Sequence, residues 1–191
     1  ASEHAEVAVG VDVSQPALDA WRQRYGVPKT TTDFKDVLND KDIDIVDLCV
    51  PNMMHAPLAI AALNAGKHVI CEKPLAPTPE AIREMIAARD ASGKMLMTAQ
   101  HFRFAGNSQA VKRQIDTGVL GSVYHARSWM LRRSGMIPTA SFAKRSVSGG
   151  GPCIDIGVHV LDLTLWLMGH PKPVAVSGVA KQTFAGRKGL W

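Results

Sequence analysis

Three side chains that can transfer protons stand at two places in the chain. Lys73 lies in the triplet Glu72-Lys73-Pro74, directly after a short apolar run, and Asp155 and His159 follow a run of three glycines. A histidine beside a carboxylate suits general acid–base catalysis, and a lysine at the end of a buried strand can serve as a positioned hydrogen-bond donor. We therefore interpret Lys73, Asp155 and His159 as a proton-transfer set.

The same residues also allow structural interpretations. Glu72 and Lys73 can form a simple surface ion pair. Asp155 and His159 are four positions apart in an apolar segment that is predicted to be a buried helix, so they lie on one helix face and can satisfy each other as a structural pair. The residues by themselves leave both alternatives open.

A second group of polar residues follows other predicted strands. Asp12 ends the apolar run 7–11, where its carboxylate can bind both hydroxyls of an adenosine ribose and disfavour the 2′-phosphate of NADP. Pro51, Asn52 and His55 lie between a strand end and a helix start, at the sheet edge where ligands bind. Helix caps and a solvated histidine are the alternatives. The position of Asp12 predicts a preference for NAD over NADP.

The first hundred residues alternate between strand and helix patterns. Predicted strands cover 7–11, 45–50, 68–71 and 95–99, and predicted helices cover 15–25, 55–64 and the segment from Pro79 to Arg89, which Thr78 caps and Gly93 ends. This alternation predicts βαβ units in a parallel sheet. We expect a Rossmann-like dinucleotide-binding domain over 1–104, although no GxGxxG loop precedes Asp12.

The pattern changes after residue 104. A helix is predicted over 108–117, a long strand over 123–131, a Ser/Gly-rich loop up to Gly151, a long apolar helix and a strand over 174–184. Residues 105–191 are therefore expected to be a partial substrate and oligomerisation domain. The predicted fold class is α/β, an incomplete doubly wound parallel sheet followed by the start of an α+β open-sheet domain.

Composition excludes several classes of protein. Apolar residues make up 46% and charged residues 20% of the 191 positions, as in ordinary globular proteins, and no apolar run is long enough to span a membrane. The three cysteines lack CxxC spacing, so we expect buried, reduced thiols with neither a disulfide nor a metal site.

The charge is distributed unevenly along the chain. Residues 1–99 carry 10 Lys+Arg against 14 Asp+Glu, and residues 100–191 carry 12 Lys+Arg against 3 Asp+Glu. The basic half lacks any nucleic-acid-binding motif, so no nucleic-acid partner is predicted.

Four segments resemble the Gfo/Idh/MocA family, named for glucose-fructose oxidoreductase and inositol dehydrogenase. They are DLCVPNMMHAPLAIAALNAGKHVICEKPLA at 47–76, AQHFRF at 99–104, IDTGVLGSVYHARSWMLRR at 115–133 and GGGPCIDIGVHVLDLTLWLMG at 149–169. The EKP block and the GGGxxxDxGxH block are the specific ones.

The resemblance implies an NAD(P)-dependent oxidoreductase that acts on a sugar, polyol or sugar-derived alcohol. It implies that His159 takes a hydroxyl proton as hydride leaves the substrate carbon, that Lys73 polarises the reacting oxygen and that Asp155 orients both. It also places cofactor-binding residues, namely Asp12, Pro51, Asn52, His55, Glu72, Lys73 and His101. The alternatives are a glycoside hydrolase that retains its NAD and an inactive or non-catalytic binding module.

The resemblance carries further expectations. Family chains begin with the strand and glycine-rich loop that are not found here and continue beyond Trp191, so we expect a fragment of a longer protein. We also expect a cytoplasmic protein and a homo-oligomer that assembles through the sheet of the second domain.

Overall fold

The computed structural model describes residues 3–131, 146 and 149–181. The chain folds into two compact units. Unit 1 contains Ala1–Val50 and Met54–Thr98, and unit 2 contains Pro51–Met53 and Ala99–Trp191.

Unit 1 begins with a two-stranded parallel sheet. Strand β1 (Val9–Val11) pairs with β2 (Lys29–Thr31), and helix α1 (Gln15–Tyr25) connects them. The Ser14 hydroxyl caps the start of α1. Gly26 ends the helix in the left-handed conformation, which glycine adopts readily because it has no Cβ atom. At Gly10 the Trp21 ring passes so close to the backbone that a Cβ atom there would lie 2.2 Å from it. Glycine is therefore required where α1 packs on β1.

The second sheet of unit 1 has three parallel strands in the order of the chain. Helix α2 (Phe34–Asn39) precedes β3 (Ile45–Leu48), helix α3 (His55–Asn64) leads to β4 (His68–Cys71), and helix α4 (Pro79–Ser92) leads to β5 (Leu96–Thr98). A short 3-10 turn, Asn52–Met54, lies between β3 and α3. These repeated βαβ connections give the Rossmann-type α/β fold that the sequence predicts.

The core of unit 1 lies between the second sheet and helices α3 and α4. Alternate residues of the strands point inward, and α3 contributes small alanines that allow close packing. Fully or almost fully buried members include Leu48, Ala59, Ala62, Leu63, Val69, Cys71 and Met85. This rigid layer fixes the carboxyl ends of β3 and β4 next to each other.

Unit 2 has fewer regular elements in its described part. A 3-10 turn (His101–Phe104) precedes helix α5 (Gly106–Asp116), and a π-helical turn (Cys153–Gly157) runs directly into helix α6 (Val158–Leu167). The π-helical turn interrupts the single long helix that the sequence predicts. Turns of this kind are frequent at functional sites.

Several expectations are wrong in detail. The predicted strand over 123–131 is absent, and so is a strand over 174–181, while residues 182–184 and most of the predicted Ser/Gly-rich loop lie outside the described residues. Both segments contain β-branched valines, and 123–131 also contains aromatic residues, but a strand also needs a hydrogen-bonded neighbour. Tyr124 and Val176 are each 92% exposed. Strand β2 and helix α2 are not predicted by the sequence pattern, because their short runs show little apolar periodicity.

The cysteine and membrane expectations have separate outcomes. Cys71 is buried, but Cys49 and Cys153 are exposed, so the prediction that all three are buried is wrong for two of them. Cys49 lies at the end of an edge strand and Cys153 begins the π-helical turn.

Within the described ranges no helix is long and apolar enough to cross a membrane, and no group of metal-ligating side chains is found.

Candidate active site

Lys73 lies in a turn at the carboxyl end of β4. The Glu72 N–H donates to the Leu48 carbonyl at 3.0 Å and so extends the β3–β4 ladder by one residue. The Glu72 carboxylate then accepts the Lys73 backbone N–H at 3.0 Å, and the Lys73–Pro74 peptide bond is cis. The backbone next to the half-buried Lys73 side chain is therefore held by a hydrogen bond to the sheet and by one to the Glu72 carboxylate.

His55 supports this turn from inside unit 1. Its imidazole is completely buried, with Nδ1 2.7 Å from the Pro74 carbonyl oxygen and Nε2 2.9 Å from the Val50 carbonyl oxygen. Carbonyl oxygens only accept hydrogen bonds, so the contact made by the ring nitrogen that carries a hydrogen is a hydrogen bond, and which nitrogen that is depends on the tautomer. The ring thus connects the end of β3 to the turn that carries Lys73, and its nitrogens already face protein atoms.

An acidic group lies on the sheet face opposite α3 and α4. Asp47 and Glu72 occupy this face, and the Cys49 Sγ lies 3.9 Å from the Asp47 Oδ1. Burial, together with the nearby Glu72 charge, raises the pKa of Asp47, and the same two influences raise the pKa of the Cys71 thiol to about 12. Two carboxylates, those of Asp47 and Glu72, therefore lie close together beside the Lys73 turn.

Asp12 lies one residue after β1, as the sequence predicts. Its exposed carboxylate accepts the Ser14 backbone N–H at 2.8 Å, and its own N–H donates to Thr31 at 3.4 Å. The helix cap itself is Ser14, so Asp12 is not the capping residue of α1. Its side chain remains accessible at the carboxyl end of the strand.

Pro51 and Asn52 follow β3 and belong to unit 2. Pro51 is exposed, and Asn52 is half-buried at the first position of the 3-10 turn. Both lie between the end of β3 at Leu48 and the start of α3 at His55, as the sequence predicts, although the strand ends two residues earlier than expected.

His159 is the most enclosed polar residue of the described part of unit 2. It lies in the first turn of α6, is 4% exposed, and follows Asp155 of the π-helical turn by four positions. The Phe102 ring stacks on the imidazole with centroids 4.7 Å apart, and the His101 ring meets it at 4.9 Å with an interplanar angle of 64°. Asp155 itself is half-buried.

The 3-10 turn of unit 2 also holds α6 through charge. The Arg103 Nε donates to the Asp162 Oδ2 at 2.7 Å, its Nη2 donates to the other carboxylate oxygen, and Gln109 Nε2 donates to the Arg103 carbonyl at 2.6 Å. The carboxylate raises the pKa of Arg103, because it stabilises the charged guanidinium. Asp162 lies three residues after His159, so this bidentate pair fixes the helix turn that carries the imidazole.

Sequence reasoning misses the part played by Phe102 and Arg103. The segment AQHFRF is notable in the sequence only for its resemblance and for His101. An aromatic and an arginine next to a candidate histidine are the available signal, but nothing in the spacing shows that three consecutive side chains contact one helix.

A separate cavity of about 270 Å³ lies elsewhere in the described part of unit 2. Its lining is largely apolar and includes Ile115, Val123, Val160, Leu163 and Leu167. None of the predicted site residues lines it, so the cavity does not identify the chemistry.

Two family models match the chain. One, described as "Oxidoreductase family, NAD-binding Rossmann fold", matches residues 1–100, and the other, described as "GFO/IDH/MocA C-terminal domain", matches residues 108–189. Together they cover most of both units.

Similar proteins include two sugar dehydrogenases. D-glucoside 3-dehydrogenase of Escherichia coli is 37% identical, with 97% of this chain and 54% of that protein covered. Levoglucosan dehydrogenase of Pseudarthrobacter phenanthrenivorans is 35% identical over 78% of this chain and 39% of its own length. A solved levoglucosan dehydrogenase in complex with NADH and levoglucosan has a TM-score of 0.73 at 31% identity and covers 85% of this chain and 45% of that one. The chain spans about half the length of these relatives, and it belongs to the Gfo/Idh/MocA family of oxidoreductases.

Proposed function

We propose that the protein containing this chain is an NAD-dependent dehydrogenase that oxidises a hydroxyl of a sugar, polyol or sugar-derived alcohol. The observation that carries the proposal is the setting of His159, an almost completely buried imidazole held by the Phe102 ring and preceded by Asp155. The names of the sugar dehydrogenases above support the substrate class.

Each catalytic residue has a proposed role. His159 accepts the proton of the reacting hydroxyl, since imidazole is the side chain best suited to proton transfer near neutral pH. Lys73 donates a hydrogen bond to the reacting oxygen, and its anchored backbone limits where its ammonium can reach. Asp155 orients the substrate and the imidazole.

The described residues fit an NAD molecule at the carboxyl ends of the strands. The Asp12 carboxylate is exposed where an adenosine ribose would need an acceptor, and the Glu72–Lys73 turn lies at the strand end next to β3. Asp12, Pro51, Asn52, Glu72, Lys73 and His101 would hold the cofactor. His55 would act indirectly, because its ring contacts the protein backbone on both sides. When bound, NAD supplies the acceptor for the hydride.

The remaining parts of the proposal concern organisation. We assign residues 1–104 to cofactor binding and 105–191 to substrate binding and assembly into a homo-oligomer, in a protein located in the cytoplasm. Sedimentation of the purified protein checks the assembly, since a single monomeric species would contradict it.

Product analysis tests the proposed activity. The purified protein is incubated with NAD⁺ and a panel of glucosides, anhydro sugars and polyols, and NADH formation is followed together with release of the aglycone from nitrophenyl glycosides. We expect NADH and an oxidised sugar in equal amounts. Release of nitrophenol without net NADH would instead support a hydrolase that retains NAD, and no change of any substrate would remove the enzyme proposal.

A matched pair of lysine variants localises the activity. Lys73→Met should reduce turnover on the order of 10²-fold, since it removes a hydrogen bond to the reacting oxygen. Lys35→Met changes an exposed lysine of α2 and serves as the control. Equal turnover in both variants would show that Lys73 has no catalytic role.

A further inference from the structure

We propose that His101 is a proton-relay residue that carries the proton from His159 to solvent, an inference that rests on the proposed dehydrogenase function. A base that takes a proton in every turnover must lose it before the next. His159 is 4% exposed, whereas His101 is exposed. The two imidazole centroids lie 4.9 Å apart with an interplanar angle of 64°, so the rings are direct neighbours.

The packing around His159 favours this route. Phe102 covers a face of the ring at 4.7 Å with an interplanar angle of 22°, so an apolar surface blocks that direction. His101 meets the ring edge-on, and ring nitrogens lie at the edge of an imidazole. The backbone of the 3-10 turn places both rings, so the blocking ring and the relay ring come from consecutive residues.

The other charged groups of the elements around the pair do not take over the proposed role of His101 in carrying the proton. The charged residues of the elements that carry or pack against the pair are Asp155 and Asp162 on the helical side, Arg103 on the 3-10 turn, and Lys112, Arg113 and Asp116 on α5. Asp162 is held by both nitrogens of the Arg103 fork, and Lys112 pairs with Asp116 and lies over the Trp166 ring. His101 is an exposed proton-carrying group whose ring neighbours the His159 ring.

The relay conserves protons. The substrate hydroxyl proton moves to a ring nitrogen of His159, the imidazolium then gives a proton to an unprotonated nitrogen of His101, and His101 gives a proton to water or buffer. The hydride leaves with the cofactor under the proposed function. Each turnover thus releases one proton to solvent and returns both imidazoles to their starting state.

A proton-release experiment tests the relay. In a single turnover, NADH absorbance and a pH indicator are followed together in weak buffer, for the wild type and for His101→Phe, which keeps an aromatic edge but carries no exchangeable ring proton. We expect the two signals to coincide in the wild type. His101 is also a proposed cofactor contact, so the lag in His101→Phe is measured against NADH formation in the same variant at saturating NAD⁺, and proton release should trail it at least several-fold. Added imidazole should remove the lag, a rescue that a merely structural role would not produce. Coincident signals in His101→Phe without imidazole would overturn the proposal.

A second readout does not depend on activity. The two histidine rings are followed by NMR over a pH titration of the wild type, of His101→Phe and of the control His125→Ala, which changes an exposed histidine of unit 2. The electrostatic interaction between two neighbouring imidazoles predicts mutually dependent titration curves of His101 and His159 in the wild type and in His125→Ala, and a changed curve for His159 in His101→Phe. Independent titration in the wild type would overturn the relay, whether or not the protein oxidises sugars.

Discussion

The two units differ in how their candidate chemical groups are held. In unit 1 the Lys73 turn is anchored by the main-chain β3–β4 ladder, with one buried side chain, His55, in contact with two main-chain carbonyl oxygens. In unit 2, His159 is held by side chains, through the Phe102 ring and the Arg103–Asp162 pair. A main-chain anchor tolerates substitution of side chains outside the core, whereas a side-chain anchor depends on each residue that forms it.

The largest difference between the units is expected in the unfolding free energy that is lost when a leucine is replaced by alanine. Leu63→Ala removes a completely buried side chain from the unit 1 core and should cost about 2–5 kcal/mol of unfolding free energy. Leu161→Ala, at a position 55% exposed on α6, should cost less than about 0.5 kcal/mol. Hydrogen exchange of backbone amides measures both variants unit by unit. Equal losses would contradict the difference in burial between the two positions.

The side-chain part of the Lys73 anchor can be removed by one substitution. His55→Phe keeps a ring of similar shape but removes the ring nitrogens that contact the Val50 and Pro74 carbonyl oxygens, at a cost of about 1–3 kcal/mol. Hydrogen exchange in β4 should accelerate, while the exposed control His125→Ala should leave it unchanged. Unaltered exchange in His55→Phe would mean that the turn does not depend on the ring.

The side-chain anchor of unit 2 is expected to be weaker. Arg103→Met and Asp162→Asn, combined in a double-mutant cycle, should give a coupling free energy of about 1 kcal/mol, because the pair is bidentate and its side chains are 30% and 15% exposed. NMR of the His159 ring provides a second measurement, since loss of the pair should shift its signals. A coupling near zero with unchanged signals would show that the pair does not position α6.

The smallest effect concerns the acidic face of unit 1. The raised pKa of Asp47 means that the folded state holds its proton at higher pH than the unfolded chain does, so this group destabilises the fold above its folded pKa, and the penalty disappears as pH falls through it. Asp47→Asn should therefore stabilise unit 1 by about a few tenths of a kcal/mol at neutral pH, with no gain in acid. Urea unfolding at both pH values measures the difference. A loss of stability at neutral pH would contradict the assigned cause.

The same contrast explains what could be predicted from the sequence. Helices α1 and α3 and strand β4 have the predicted boundaries, because caps, glycine stops and apolar periodicity are local signals and the strand partners lie in the same unit. The predicted strand over 123–131 is wrong, since a side-chain pattern does not specify a hydrogen-bonded neighbour.

The candidate site shows the same limit. Lys73, Asp155 and His159 could be chosen from motifs, because lysine, aspartate and histidine in those places are chemically unusual. Two features of the site could not be predicted, namely the position of the His55 ring between two carbonyls and the stacking of Phe102 on His159. Both depend on contacts between residues that are distant in sequence.

The most direct test of His159 as the catalytic base is a comparison of two histidine variants in sugar oxidation with NAD⁺. His159→Ala removes the enclosed imidazole, and His125→Ala removes an exposed one from the same unit. We predict that His159→Ala loses on the order of 10²-fold or more in kcat while His125→Ala stays close to the wild type. A kcat for His159→Ala within a factor of about two of the wild type would contradict its role as the base.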